Sequence, residues 1–375
     1  SSAVPFSTIE AHLHMLYSFA EGMNNNKILR TPDLIQIISL IHTCGINLHN
    51  HPYVILKYFD ISFRFAKPLL QSNVEILKSV LTTLLGTQGL RNPHSIVRTR
   101  ACYYMKRISK ILQKPVAKFF NEVFASIYPI LKIPYPIEEG CKPSGCSTLS
   151  KDNRYVLYDV CGMLMTHISN PAETIEFTKL LFGPLHRAMV RGMQGLAEDM
   201  QQEGLPPLRD LDLAGNYFAD VIQAAGTTTK TFPSALPDDV RLMLRQSLEA
   251  AMKVYLNFPD HKSIRQQVIF FFHRMIAVLQ DGFVPFLPPI LGPLIQDITA
   301  DNAIETIQLT NQLLSKDKRK MRPIKPEITM PIFTSLVTPC QMWPRERLEK
   351  FHQQTNSNLG NRCNVDSSCF CKTLY

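Results

Sequence analysis

The sequence predicts an all-α fold, an α-solenoid of stacked helix pairs following a superhelical path, on three observations. Apolar residues recur at helical spacing in roughly fourteen segments, and no run alternates with the period of a strand. The segments form pairs that recur about every 45 residues, the signature of a repeat architecture. Hydrophobic residues make up 45% of the 375 positions and are spread without a long polar linker, which favours one continuous stack over separate globules.

The elements follow in order. Residues 9–21 place Leu13, Leu16, Tyr17 and Ala20 on one face, and Asn24 to Asn26 break the pattern. Thr31 and Pro32 open a second helix at the cap and first position, and it ends near Gly45. Residues 53–66 and 72–85 repeat the pair, stopped before Pro68 and at Gly86. In 88–112, Val97, Ala101, Tyr104, Met105, Ile108, Ile111 and Leu112 share one buried face. Its partner, 116–131, carries Phe119, Phe120, Val123, Phe124 and Ile127. Residues 134–154, rich in Pro, Gly and Ser, read as a loop or insertion. Helices resume at 155–168 and 171–200, the latter with Asn170 as cap and Pro171 at its first position. After a break at 204–210, the next pair is 213–225 and 238–257, with Asp238 and Asp239 at the positive end of the second. Residues 261–280 put Ile264, Val268, Phe271, Phe272, Met275 and Leu279 on one face. Segments 285–298 and 303–314 follow, and 315–326 forms a basic connector with six cations against one acid.

Charge is concentrated. Between Ile76 and Asn121 there is no Asp or Glu, while nine Lys and Arg fall there, as many as the net charge of +9 of the whole chain. At 100° per residue, Arg100, Tyr103, Arg107, Lys110 and Lys114 form a stripe beside the buried face, with no acid within a helical turn. Such a field points to a polyanion partner, against the plainer reading of a solvated basic face. Tyr103 would either stack on a base or ribose or cover the apolar edge. Arg98 would either contact nucleic acid or bond to an acid of a neighbouring repeat.

Enzyme chemistry finds no support. There is no Gly-rich phosphate loop, no His-Glu-x-x-His and no Gly-x-Ser-x-Gly, so the chain is expected not to be an enzyme and to need no cofactor. His42, Cys44, His49 and His51 crowd one turn, and Cys141, Cys146, Cys363, Cys369 and Cys371 recur in loops. None has zinc-site spacing, so loop and capping roles are preferred and no metal is expected. Nine scattered Cys predict free thiols in a reducing compartment. The most apolar run, 283–295, is interrupted by four prolines and falls short of a membrane span, so no membrane insertion is expected. The opening Ser-Ser-Ala-Val-Pro-Phe does not read as a signal peptide.

Val97-Arg98-x-x-Ala101, echoed by Ile264-Arg265-x-x-Val268, looks like the second helix of a HEAT repeat. The wider string from Gly89 to Leu112 resembles the central part of the exportin-T family of karyopherins. So do Asn170-Pro171-Ala172-Glu173, the neighbourhood of Thr229-Lys230-Thr231-Phe232, Phe272-His273-Arg274-Met275-Ile276 and Val284-Pro285-Phe286-Leu287-Pro288, in the same order. The resemblance implies HEAT-like helix pairs over 1–337 and a receptor that exports tRNA from the nucleus. It would bind tRNA on a basic concave surface together with Ran-GTP and release it in the cytoplasm. Nuclear pore proteins would be further partners, and the protein would shuttle between nucleus and cytoplasm. The amino-terminal repeats that hold Ran in karyopherins are not recognisable in this sequence. Lys230 joins Arg100, Tyr103, Arg107, Lys110 and Lys114 as an RNA-binding candidate through the resemblance, and Lys262, Arg265 and Arg274 lie in similar segments, with structural roles equally open for the two arginines. Residues 338–375, polar and without an apolar face after Leu348, depart from the family and are expected to form a poorly ordered tail. The alternative function is a HEAT scaffold that binds acidic protein surfaces without RNA, and a cryptic enzyme site at His42 to His51 is the remaining rival.

Overall fold

The computed structural model describes residues 4–23, 31–71, 73–133, 149–194, 211–287 and 309, and among them every regular element is helical. The expected segments 285–298, 303–314 and 315–326 and the tail 338–375 lie wholly or almost wholly outside the described residues. The chain divides into two compact units, Ser1–Leu185 with Thr227–Pro233, and His186–Gly226 with Ser234–Tyr375.

In the first unit the helices are α1 (Phe6–Gly22), α2 (Pro32–Thr43), α3 (Pro52–Arg64), α4 (Val74–Leu85), α5 (Ser95–Ile111), α6 (Gln113–Ala117), α7 (Phe120–Ile127) and α8 (Lys151–Met165). They form two rows. Helix α1 packs on α3, α3 on α5 and α5 on α8, while α2 packs on α4 and α4 on α7. Within each row a helix thus packs on the corresponding helix of the next pair, the nearest-neighbour stacking of a solenoid, and α4 on α5 and α7 on α8 join the rows. The predicted faces make these contacts: Val97, Ala101, Tyr104, Met105, Ile108 and Leu112 are buried, as are Phe120, Val123, Phe124 and Ile127. Backbone carbonyls left over at helix ends are taken by arginines. Arg64 Nε donates to Ala20 O at 3.0 Å, tying the end of α3 to α1, and Arg91 spans from Leu85 O to Ser126 O, 3.0 Å each.

Helix α9 (Pro171–Gln194) opens as expected, with Asn170 Oδ1 accepting from Ala172 N and its amide donating to Glu173, both at 3.0 Å. Then come α10 (Leu211–Thr228) and a 3₁₀ turn, Thr229–Thr231. In the second unit α11 (Asp238–Asn257) packs on α12 (Lys262–Leu279), whose predicted apolar face is buried throughout. His261 Nδ1 caps α12 by accepting from Ile264 N.

Three boundaries differ from expectation. The predicted helix 116–131 is divided into α6, α7 and a 3₁₀ turn at Tyr128–Ile130. Pro115 cannot donate to Ile111 O and its ring would crowd that carbonyl, so α5 ends at Ile111 and Leu112 leaves helical geometry at φ −116°, ψ 43°. Pro68 does not stop the chain of turns but is absorbed in a π-helical turn, Ala66–Leu70, buried through Ala66, Leu69 and Leu70. The loop expected over 134–154 ends at Ser150, whose hydroxyl caps α8 by accepting from Asn153 N at 3.3 Å.

One close approach positions the site described next. A Cβ at Gly162 on α8 would lie 1.9 Å from Thr228 O, so only glycine lets the end of α10 come this near. The contact brings Lys230 over α8.

Candidate nucleic-acid interface

Helix α5 turns Arg100, Tyr103, Arg107 and Lys110 to solvent, as the periodicity requires once the opposite face is buried. Lys114 is also exposed, but it sits on α6 beyond the break at Leu112, so the stripe is not carried to it by one continuous helix.

The exposed face is built from arginines laid against rings. The Arg100 guanidinium lies 5.3 Å from the centre of the Tyr103 ring and 5.4 Å from that of Tyr104. Arg107 lies 4.8 Å from Phe63 of α3 and 5.7 Å from Tyr103. Tyr103 therefore stands between a guanidinium one turn before it and another one turn after it. At these distances the cation is attracted to the ring quadrupole, which favours each arginine staying against its rings.

Beneath this face, Asp60 of α3 is buried. It accepts the Tyr104 hydroxyl, pairs with Lys57 at 3.4 Å and lies 3.9 Å from Arg100 Nη2. Burial, and then the Asp60 carboxylate, push the Tyr104 phenol above its usual range, so it remains a donor. No acid lies within a helical turn of Arg100, but the stretch that contains none in sequence acquires one in space, from α3. Half of the Arg100 side chain remains exposed, and the pair is worth little in solvent.

A second buried carboxylate, Asp159 of α8, takes Lys106 at 2.8 Å and Lys230 at 3.8 Å. Lys230 is therefore brought to α5 through Asp159 rather than standing alone, and Lys106, absent from the predicted stripe, joins it. Lys114 and Lys118 flank an open hollow of about 470 Å³ whose walls include Asn121, His167 and Glu173. His167 Nε2 lies 3.0 Å from Gln113 Oε1.

The remaining candidates are placed elsewhere. Arg98 Nη1 donates to Asn92 O and Pro93 O, 2.7 Å each, so it closes the entrance of its own helix instead of bonding to an acid of a neighbouring repeat. Arg265 is buried and donates to the Tyr255 hydroxyl at 3.0 Å, and Arg274 lies 5.0 Å from the centre of the Phe270 ring. His42 is buried against Tyr58, His49 Nδ1 accepts from His51 N, and His51 stacks on Phe6, so these histidines diverge. Among the described residues no three His, Cys, Asp or Glu side chains group closely enough to hold a metal ion. Cys44, Cys102 and Cys161 are free thiols, and burial pushes Cys102 and Cys161 up to about 12. Cys141, Cys146, Cys363, Cys369 and Cys371 lie outside the described residues. Among the described residues no helix is long and apolar enough to cross a membrane.

A family model described as Exportin-T matches residues 1–341. The chain belongs to the exportin-T family. Curated exportin-T proteins match in the same range: that of Danio rerio is 25% identical over 339 residues, covering 88% of this chain and 34% of the relative. The Homo sapiens protein is 26% identical over 349 residues, 90% of this chain and 35% of the relative. The Arabidopsis thaliana protein is 26% identical over 335 residues, 88% and 33% respectively. This exportin-T chain spans about a third of the length of these relatives.

Proposed function

We propose that this chain forms part of a nuclear export receptor for tRNA, in which exposed cations of α5 meet tRNA phosphates. Arg100, Arg107 and Lys110 of α5, joined by Lys114 of α6, make the contact, Tyr103 lies among them, and Lys230 adds a cation beside α8. Ran-GTP binds cooperatively with tRNA in the nucleus, hydrolysis of GTP releases the RNA in the cytoplasm, and contacts with nuclear pore proteins allow shuttling. The chain acts as a carrier, without catalysis. The reading is carried by the exposed, ring-supported arginines of α5 in a chain of this family. Phosphate and ribose contacts across an extended surface suit a folded RNA of fixed shape, read without base sequence.

The test is tRNA binding by filter retention over a salt series, with and without Ran-GTP. Replacing Arg107 and Lys110 with Gln should weaken binding to different tRNAs alike, and flatten the slope of log K against log salt by roughly 1.4 to 1.8. Unchanged affinity and slope would remove the stripe from the interface. Binding of acidic peptides but not of tRNA would transfer the chain to a protein-binding scaffold.

A further inference from the structure

Arginines on a helix surface are flexible, and fixing one on binding costs part of the affinity its charge supplies. On α5 this ordering is built in before any ligand arrives. Arg100 is held by Tyr103, Tyr104 and the Asp60 carboxylate, and Arg107 by Phe63 and Tyr103. The rings are themselves fixed: Tyr104 donates to Asp60, Tyr103 meets Tyr104 edge-on at 5.0 Å, and Phe63 lies 5.5 Å from Tyr104. Tyr103, 41% exposed, is the ring shared by both guanidiniums. A ring engaged from both sides along the helix is badly placed to take a base as well.

We infer that Tyr103 is a positioning residue: it orders Arg100 and Arg107 as a pair of planar forks for adjacent phosphodiester oxygens of a folded RNA, and does not itself stack on the RNA. The inference rests on the tRNA-binding reading above and adds what each residue does. Phe63 has the same role for Arg107 from α3. Lysine cannot substitute for either arginine, because its ammonium offers a point charge without the flat fork.

The experiment is a double-mutant cycle on the full chain, read as tRNA affinity and salt slope. Tyr103→Leu should weaken binding roughly two- to tenfold with the slope unchanged, since ordering is lost but no charge is removed. Tyr103→Phe keeps the ring and should retain affinity. Arg100→Lys with Arg107→Lys should also lose affinity at constant slope, and in that background Tyr103→Leu should cost nothing further. If Tyr103 stacks on the RNA, its replacement will cost the same in both backgrounds, and the inference falls while tRNA binding stands. If the unaltered chain does not bind tRNA under any salt condition, both readings fall together. Unchanged far-ultraviolet dichroism of the variants guards against loss of α5.

Discussion

Helices α5 and α12 carry the same signature, an apolar residue followed by arginine and a small or apolar residue three positions on, yet their arginines do different work. Arg98 of α5 reaches back to two carbonyls of the loop before its helix. Arg265 of α12 is 6% exposed and reaches across to the Tyr255 hydroxyl of α11. The faces opposite the core differ as well. Helix α5 exposes a ring-supported basic stripe, while α12 exposes only Lys262 and Gln266. The signature marks the face that packs on the next repeat. What the other face does is decided by the neighbours.

The arginines should separate most in stability. Arg265→Ala removes a buried hydrogen bond together with an apolar stem, and should destabilise the region around α12 by roughly 2–4 kcal/mol. Arg98→Ala frees two carbonyls, of which that of Pro93 is exposed, and should cost about 1 kcal/mol near α5. Because stacked repeats open locally, native-state hydrogen exchange on the amides of each helix is the suitable measurement. Equal losses would mean that both arginines serve one repeat-wide purpose and that their different partners are incidental.

Much of this can be read from the chain. The apolar faces of α5, α7 and α12 are legible because a single helix fixes which residues share a side, whatever lies around it. The acids beneath and beside the α5 stripe are not. Asp60 meets Tyr104 across 44 positions, and Asp159 gathers Lys106 and Lys230 from different elements, so no local charge pattern contains them. Phe63 escapes for the same reason, lying on α3. That α5 itself stops short of Lys114 follows from a rule that is local and legible: Pro115 ends α5 four residues before itself. The true partners of Arg98 are hidden because a carbonyl leaves no trace in charge counting.

A second buried base sharpens the contrast of partners. His42 on α2, like Arg265, lies against a tyrosine hydroxyl, with Nδ1 2.9 Å from Tyr58. Burial lowers His42 to about 4 from an ordinary 6.5. The unfolded chain then binds more protons between these values, so stability is fully present above pH 6.5 and is lost as pH falls towards 4. Between pH 7 and 5.5 the loss from this group should be roughly 1 kcal/mol. Melting curves against pH for the parent and for His42→Gln check it, the variant falling less steeply. Parallel curves would mean that His42 titrates alike in the folded and unfolded chain and that other groups set the acid limit.

The smallest expected effect concerns the exposed lysines of the same two helices. Lys110 stands on α5 beside Arg107, and Lys262 stands in the first turn of α12, where it meets no comparable basic stripe on its own helix. If the stripe is the tRNA-binding face, Lys110→Gln should flatten the salt slope by roughly 0.7 to 0.9, because one phosphate fewer is neutralised and its counterion stays in place. Lys262→Gln should leave the slope as it was, although both variants lower the net charge of the chain by the same unit. Net charge alone would act equally through either lysine, so the pair separates a located contact from a diffuse field. Equal slopes for the two variants would spread the binding over the whole basic chain and dissolve the distinction between α5 and α12. A larger change at Lys262 would move the interface to the second unit.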